Sequence, residues 1–545
     1  MKVHPIVIGL CLPFALSAPT FASSQTHSKA AAQVEESALR AHLALVSSDL
    51  FEGRGTGQRG GDLTVQYLES QAQVLGLKPG NGNSYRQLVK IAGVKALPAE
   101  SSVHLHAGDQ DMSIEFGKDW VWAPGDAGAS HQFDHDIVFV GYGISAPEEN
   151  WDDYKGMDLK GKLLVMMVND PQASKEEPNL FGGKALTYYG RWTYKYEEAK
   201  RRGAAGVLLI HTTPSASYGW SVVQVGGTSE KFLIKGNNAG NPIQGWMSED
   251  TARQLFSKAG QDLDALRAAA EKRDFKPVAL NAKIQGEAKA AIRDVDQYNI
   301  AGIVPGSDPV LKNEVVIYSA HWDHLGKQGT QATTGDTIYN GAVDNGSGTA
   351  ALLAMAKAAV QNPAKRSQMF LWVAAEEQGL LGSAYYAGQA LWPLHKTAAN
   401  LNLDSLNFVG RTHDIGTQGS ERTELAAIAA QVAKKMGLRI ADAEPDLAGG
   451  YFRSDHFNFA KAGVPAFSIE AGHNYIKDPE ASSKKAQAYE LRYHQVSDEY
   501  DPSWDLSGMT EQAQFTLNLG RAVADAAKMP AWKKGEAFGK VREVK

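Results

Sequence analysis

Cysteine is nearly missing from this sequence. Among 545 residues the only one is Cys11. If the segment that holds it is removed, no disulfide framework and no thiol chemistry remain. An excess of basic residues is missing as well. Lys and Arg number 55 against 61 Asp and Glu, a net charge of −6, so the footprint of a nucleic-acid binder is absent and no nucleic-acid partner is expected. Beyond the N-terminus no apolar run is long enough to span a bilayer. There are no repeats and no long low-complexity tracts. What is left is an ordinary globular balance, 43% hydrophobic and 21% charged, in a chain long enough for two or three domains.

The N-terminus departs from that balance. "MKVHPIVIGLCLPFALSAPTFASSQ" has Lys2 near its start, an apolar stretch to about Ala18 and a small residue at Ala22. These are the parts of a secretory signal peptide, expected over residues 1–22. Leu10 precedes Cys11 where a lipoprotein signal carries a small residue, which argues against lipid attachment. An exported chain without disulfides fits a bacterial periplasm or the culture medium.

After the signal the apolar spacing in "AAQVEESALRAHLALVSSD" and "DLTVQYLESQAQVLG" predicts two helices, with the Gly-rich loop "LFEGRGTGQRGG" between them. From about residue 134 to 277 the character changes. "HDIVFVGYGI" and "KGKLLVMMVND" read as strands, and "RWTYKYEEAKRRGAAGVLLIHT" as helix, turn and buried strand. This block is expected to be a separate β-rich insert, splitting a catalytic domain into residues 30–133 and 278–530. Its aromatic run, "TYYGRWTYKYEE", reads either as interface packing or as a wall over a cleft. From about Gln297 strands and helices alternate. "EVVIYSA", "QMFLWVAA", "AANLNLD" and "VPAFSIEA" are the strand candidates. The alternation predicts an α/β fold, a central sheet with helices on both faces.

Residues of metal-ligand type stand at the ends of these strands. "EVVIYSA" runs into His321, "QMFLWVAA" into Glu376 and Glu377, and "AANLNL" into Asp404. Asp344 lies in the Gly-rich turn "GAVDNGSGTA" before a helix. Sites in open α/β sheets form at the carboxyl ends of strands. A pair of acids after a buried strand calls for a cation to compensate it. Imidazole with carboxylates suits zinc, with Mn2+ or Co2+ as substitutes. Two metals bridged by a carboxylate would need about five protein ligands, and His321, Asp344, Glu377 and Asp404 supply four. His456, His473 and His494 are all candidates for the fifth, and spacing alone does not choose.

Taken in order, "AHWDH", "GAVDNGSG", "AAEEQGLLGS", "LNLDS", "RSDHFNFAKAGVPAF" and "YHQVSDEYD" resemble the co-catalytic zinc aminopeptidases, metallopeptidase family twenty-eight. That is the group of aminopeptidase Y and the Streptomyces and Vibrio leucyl aminopeptidases. The likeness is strong over about 297–525, and the insert with "GVLLIHT" resembles a protease-associated domain. The resemblance implies a zinc-dependent exopeptidase fold and two Zn2+ per chain. His321 and Asp404 would hold one ion, Glu377 and His494 the other, with Asp344 bridging. Glu376 would be the general acid/base for a water bridging the two ions, and Tyr493 would help hold the substrate carbonyl. Arg453 matches an arginine that touches substrate in some members. A cis peptide at Asp344–Asn345 is also implied. Asp323 is expected to orient His321, and His324 to be structural. The implied partners are peptides with a free N-terminus. The alternatives are a carboxypeptidase-like or dipeptidase specificity, since an arginine also clamps a carboxylate, or a single-zinc glutaminyl cyclase. A receptor that has lost activity would show broken ligand positions, and none is broken here.

Overall fold

The computed structural model describes residues 1, 33–216, 218–236, 240–329, 335–442 and 445–543. Apart from Met1, the expected signal peptide with Cys11 and Ala22 lies outside the described residues. Among the described residues no helix is long and apolar enough to cross a membrane.

The sheet that carries the site is built from β1 (Val278–Val304), β2 (Val315–His321), β3 (Ser367–Val373), β4 (Thr397–Leu403) and β5 (Ala466–Ile469), in the order β5-β4-β2-β3-β1. β2 runs parallel to both β3 and β4, β4 runs parallel to β5, and β1 is antiparallel to β3. The apolar runs read from the sequence are these parallel strands. Every residue of β2, β3, β4 and β5 is buried. Successive side chains point to opposite faces, so both faces of the sheet are covered, as parallel sheets require. The cover includes α1 (Glu36–Val46), α2 (Arg59–Val74), α3 (Ser347–Gln361) and α4 (Ser507–Asp525). α1 buries Leu39, Leu43 and Val46, the spacing of one helical stripe. The fold is thus mixed α/β, as the alternation predicts.

Two features differ from the sequence reading. The Gly-rich loop is shorter, because α2 already begins at Arg59. Gly60 and Gly61 belong to its first turn. A Cβ on Gly60 would stand 2.1 Å from the Phe51 carbonyl oxygen, and one on Gly61 2.6 Å from that of Gly55. These glycines are therefore set by close backbone approach and not by loop character.

The second difference is β1, which starts well before Gln297 and runs for 27 residues. Its residues 290–300 pair with Arg86–Ala96, and its earlier residues with Ser130–Phe139 and Ser102–Ala107. Val295, Ile300 and Val304 enter the apolar core under the site, while Leu280, Ile284 and Ala290 enter a second core. That second core and a smaller third one lie on the two sides of parallel strands in the insert. In Leu163–Met167, Leu163 and Val165 face one, Leu164 and Met166 the other. The packing unit is wider than the 134–277 window, because Val94, Leu105, Trp120 and Trp122 also fill it.

The polar loop "EGRGTG" has a defined task. Arg54 is fully buried and donates to four carbonyls: Val46 at 2.8 Å, Trp322 at 2.8 Å, Asn340 at 2.7 Å and Gly341 at 2.7 Å. Burial pulls its pKa down to about 10 against the opposing pull of Asp498, Asp344 and Asp323. It remains charged at neutral pH and ties the loop after β2 to the turn before α3. Arg54→Ala would leave buried carbonyls and carboxylates uncompensated. It should lower unfolding free energy by about 3–5 kcal/mol, seen as a lower urea midpoint at an unchanged slope. An unchanged midpoint would deny the clamp.

Candidate metal centre and active site

β2, β3 and β4 are neighbours, and their carboxyl ends deliver His321, the Glu376–Glu377 pair and Asp404 to one edge. His321 closes β2. Its Nδ1 lies 3.1 Å from the backbone carbonyl of Asp323. A carbonyl only accepts, so Nδ1 carries a proton and Nε2 is the ring nitrogen that turns to the acids. Nε2 is 3.3 Å from Asp344 Oδ1, 3.3 Å from Asp404 Oδ1 and 3.9 Å from Glu376 Oε2.

Asp344 sits in a tight turn, Ala342–Gly346, ahead of α3, with non-helical backbone at Asp344 and Asn345 and a cis bond between them. The turn is held from below by Asp498, whose Oδ1 accepts from the Val343 N–H at 3.1 Å and whose Oδ2 accepts from the Asp344 N–H at 3.1 Å. Asp344 Oδ2 then faces His494 Nε2 at 3.0 Å, so its two oxygens address two different imidazoles. Glu377 places Oε2 3.2 Å from His494 and Oε1 2.5 Å from His324 Nδ1. Donor atoms gather in two groups, His321/Glu376/Asp404 and His324/Asp344/Glu377, each within a 4.8 Å span.

The charges in this cluster shift one another. Burial raises Glu376 well above the usual carboxylate range, and Asp404 and Glu377 add to it against the pull of His321. Burial acts the same way on Glu377 and Asp344, but the facing histidines win. Glu377 falls to about 2 and Asp344 well below its ordinary value. Burial lowers His494, yet Asp344 and Glu377 carry it up to about 10. Imidazoles held against ionised carboxylates form a donor set of the zinc type. His324 and Glu377 Oε1 are buried and otherwise unpartnered among the described residues, which fits a cation at this point.

Of the three late histidines, His494 is the one set against Asp344 and Glu377. His456 is buried beside Tyr451, with ring centroids 4.8 Å apart, and burial drops its pKa to about 4, so it stays neutral. His473 is exposed in a turn, its N–H on Asp414. Asp323 does orient His321, but through its carbonyl. Its carboxylate is 3.8 Å from Nδ1 and instead accepts the Glu376 N–H at 3.0 Å. The two acids after His494 separate in role. Asp498 is buried under the Asp344 turn, while Asp501 is exposed and accepts the Ser503 N–H. His324, expected to be structural, is fully buried within the second donor group.

Beside the donors is a cleft of about 180 Å³ that includes Arg453, Glu470 and Tyr493. Tyr493 stacks on His494 with ring centroids 3.9 Å apart and remains 49% exposed. Arg453 is open to the cleft. Glu470 was not singled out by sequence, although it follows β5 as the other acids follow their strands; the strand-end rule would have found it. Its side chain opens to the cleft, yet desolvation, with Asp446 and Glu421 nearby, raises its pKa to about 7. The aromatic run of the insert packs next to this rim. Tyr188 meets Phe457 at 5.0 Å and Phe452 at 6.1 Å, and Lys461 pairs with Glu197 at 2.7 Å. A larger hollow of about 350 Å³ lies against Trp120 and Trp122, away from both donor groups.

A parallel sheet with carboxylates and imidazoles converging on its carboxyl edge defines the class: an α/β protein with a metal-type donor cluster beside an open cleft. Residues 299–517 match the model of peptidase family M28. Over 358 residues the chain is 29% identical to a probable leucine aminopeptidase 2 of Arthroderma benhamiae, covering 62% of each chain. It is 33% identical over 202 residues to a probable leucine aminopeptidase of Arthroderma otae, covering 35% of this chain and 51% of that one. The chain thus spans about three fifths of the length of the first of these relatives. The solved structure of an aminopeptidase from Aneurinibacillus sp. strain AM-1 is similar over 91% of this chain and 95% of its own, at 17% identity and a TM-score of 0.47.

Proposed function

We propose that the chain is an exported metallo-aminopeptidase that uses two zinc ions to remove N-terminal residues from peptides. The observation that carries this is Asp344, which turns one oxygen to His321 and the other to His494. His321 and Asp404 would hold one ion, Glu377 and His494 the other, and Asp344 both. Zinc bound there would polarise the scissile carbonyl and acidify a water. Glu376 is the acid beside these donors whose pKa is raised instead of lowered, so it suits taking a proton from water and giving it to the leaving amine. Its backbone is fixed by Asp323. Tyr493 stands at the open side of His494, where its hydroxyl would support charge on the substrate oxygen. The cleft supplies acids, Glu470 among them, for a protonated N-terminus. Residues 30–133 and 278–530 would form the catalytic domain and 134–277 a protease-associated insert; the separate apolar cores support two packing units, the insert's core also taking in Val94, Trp122 and Ile284.

Arg453 favours a second reading. It is exposed in the cleft, and Arg191 feels its like charge. A carboxylate-directed or dipeptidase specificity would use that positive rim. A panel of free-amine, N-acetylated and C-amidated peptides separates the two. The zinc-loaded protein, recovered from an exporting host and sized by intact mass for loss of residues 1–22, should cleave free-amine and C-amidated peptides and spare N-acetylated ones. Cleavage of N-acetylated but not C-amidated peptides would overturn the aminopeptidase reading.

A further inference from the structure

His324 has no part in the five-ligand set described above, yet its ring is the most enclosed imidazole of the centre. It is fully buried, and neither ring nitrogen has a hydrogen-bond partner among the described residues. Nδ1 faces Glu377 Oε1 at 2.5 Å and Asp344 Oδ2 at 4.0 Å. Glu377 Oε1 is likewise without a hydrogen bond. The two atoms are therefore close without the N–H direction that a hydrogen bond needs. Buried polar atoms are normally partnered, and a cation that takes electron pairs from both would satisfy them together. The ring is packed on two sides. A Cβ on Gly341 would lie 2.5 Å from its Cγ and Cδ2, and the His494 ring crosses it at 5.6 Å and 73°.

We propose that His324 is an additional protein ligand of the second metal centre. Glu377 then stands between two imidazoles, His324 at Oε1 and His494 at Oε2, with Asp344 completing the group. This rests on the two-zinc reading and extends it: the second centre is richer in nitrogen than the first, where His321 is the lone imidazole. Such a centre is fuller on the protein side and holds its ion more tightly, leaving the His321/Asp404 centre as the more open one.

The test reads metal, not turnover. Wild type and His324→Gln are stripped with a chelator and titrated with Zn2+ against a chromophoric competitor, with thermal melts to show that both are folded. Wild type should take up two equivalents. The variant should keep one and bind the other more weakly by over about 100-fold, beyond what losing an outer-shell partner costs. His324→Cys loaded with Co2+ should add a thiolate-to-cobalt charge-transfer band, which reports coordination at this position however Gln packs. Equal affinity for both equivalents in His324→Gln overturns the assignment. So does a folded, cobalt-loaded His324→Cys protein that lacks the band. A wild type that takes up a single equivalent overturns the two-zinc reading itself, and this assignment with it.

Discussion

Glu376→Gln should give a folded protein that still takes up metal but turns over peptide about 10²–10⁴-fold more slowly, the usual worth of a positioned acid–base group. The substitution keeps the size of the side chain and the N–H that Asp323 holds at 3.0 Å. It removes only the ability to carry a proton. Glu376 Oε2 is 3.9 Å from His321 Nε2, beyond a hydrogen bond, whereas Asp344 and Asp404 approach to 3.3 Å. The side chain is thus beside the donors without being committed to them. Saturating-substrate kcat, measured with metal content and a melt on the same sample, checks this. A rate near wild type would remove Glu376 from the role of base.

Asp344→Ala should abolish activity by a different route, through the metal. Each oxygen of Asp344 serves one donor group, so its loss weakens both equivalents together. Asp404→Ala, which touches only the His321 group, should weaken one. Competition titration separates the two patterns, and retention of both equivalents by Asp344→Ala would exclude a bridging role. The turn itself should survive, because the Asp498 carboxylate holds the backbone N–H groups of Val343 and Asp344 and not the side chain.

The parts of the site that could be read from sequence are those where chain order and space coincide. β2, β3 and β4 are uninterrupted apolar runs, so their ends, and hence His321, Glu376, Glu377 and Asp404, are visible as positions. Asp344 is marked by its glycines. What could not be read depends on contacts across long separations. Arg54 serves carbonyls nearly 290 residues away. His324 looks like one of three equivalent polar residues at the end of β2, and its approach to Glu377, with Gly341 and His494 packed against its ring, shows only in the fold. The first two thirds of β1, "VALNAKIQGEAKAAIRDVD", is rich in small and charged residues and shows no run of the kind that marks β2. Its strand character comes from partners at Arg86–Ala96 and Ser130–Phe139. Asp323 shows the limit of residue type as a guide, since it meets His321 through its backbone carbonyl, 3.1 Å from Nδ1, while its carboxylate lies 3.8 Å away.

β1 also ties the stability of the two halves together. One unbroken strand donates Ile284 and Ala290 to the insert core and Ile300 and Val304 to the core beneath the metal donors. Neither core can melt without releasing the ladder that the other one needs. Opening of the insert should therefore cost about as much free energy as opening of the edge that carries the donors, and amide exchange along β1 should show one cooperative unit. The rim residues that Tyr188 and Glu197 brace inherit that rigidity from a strand that never touches the cleft.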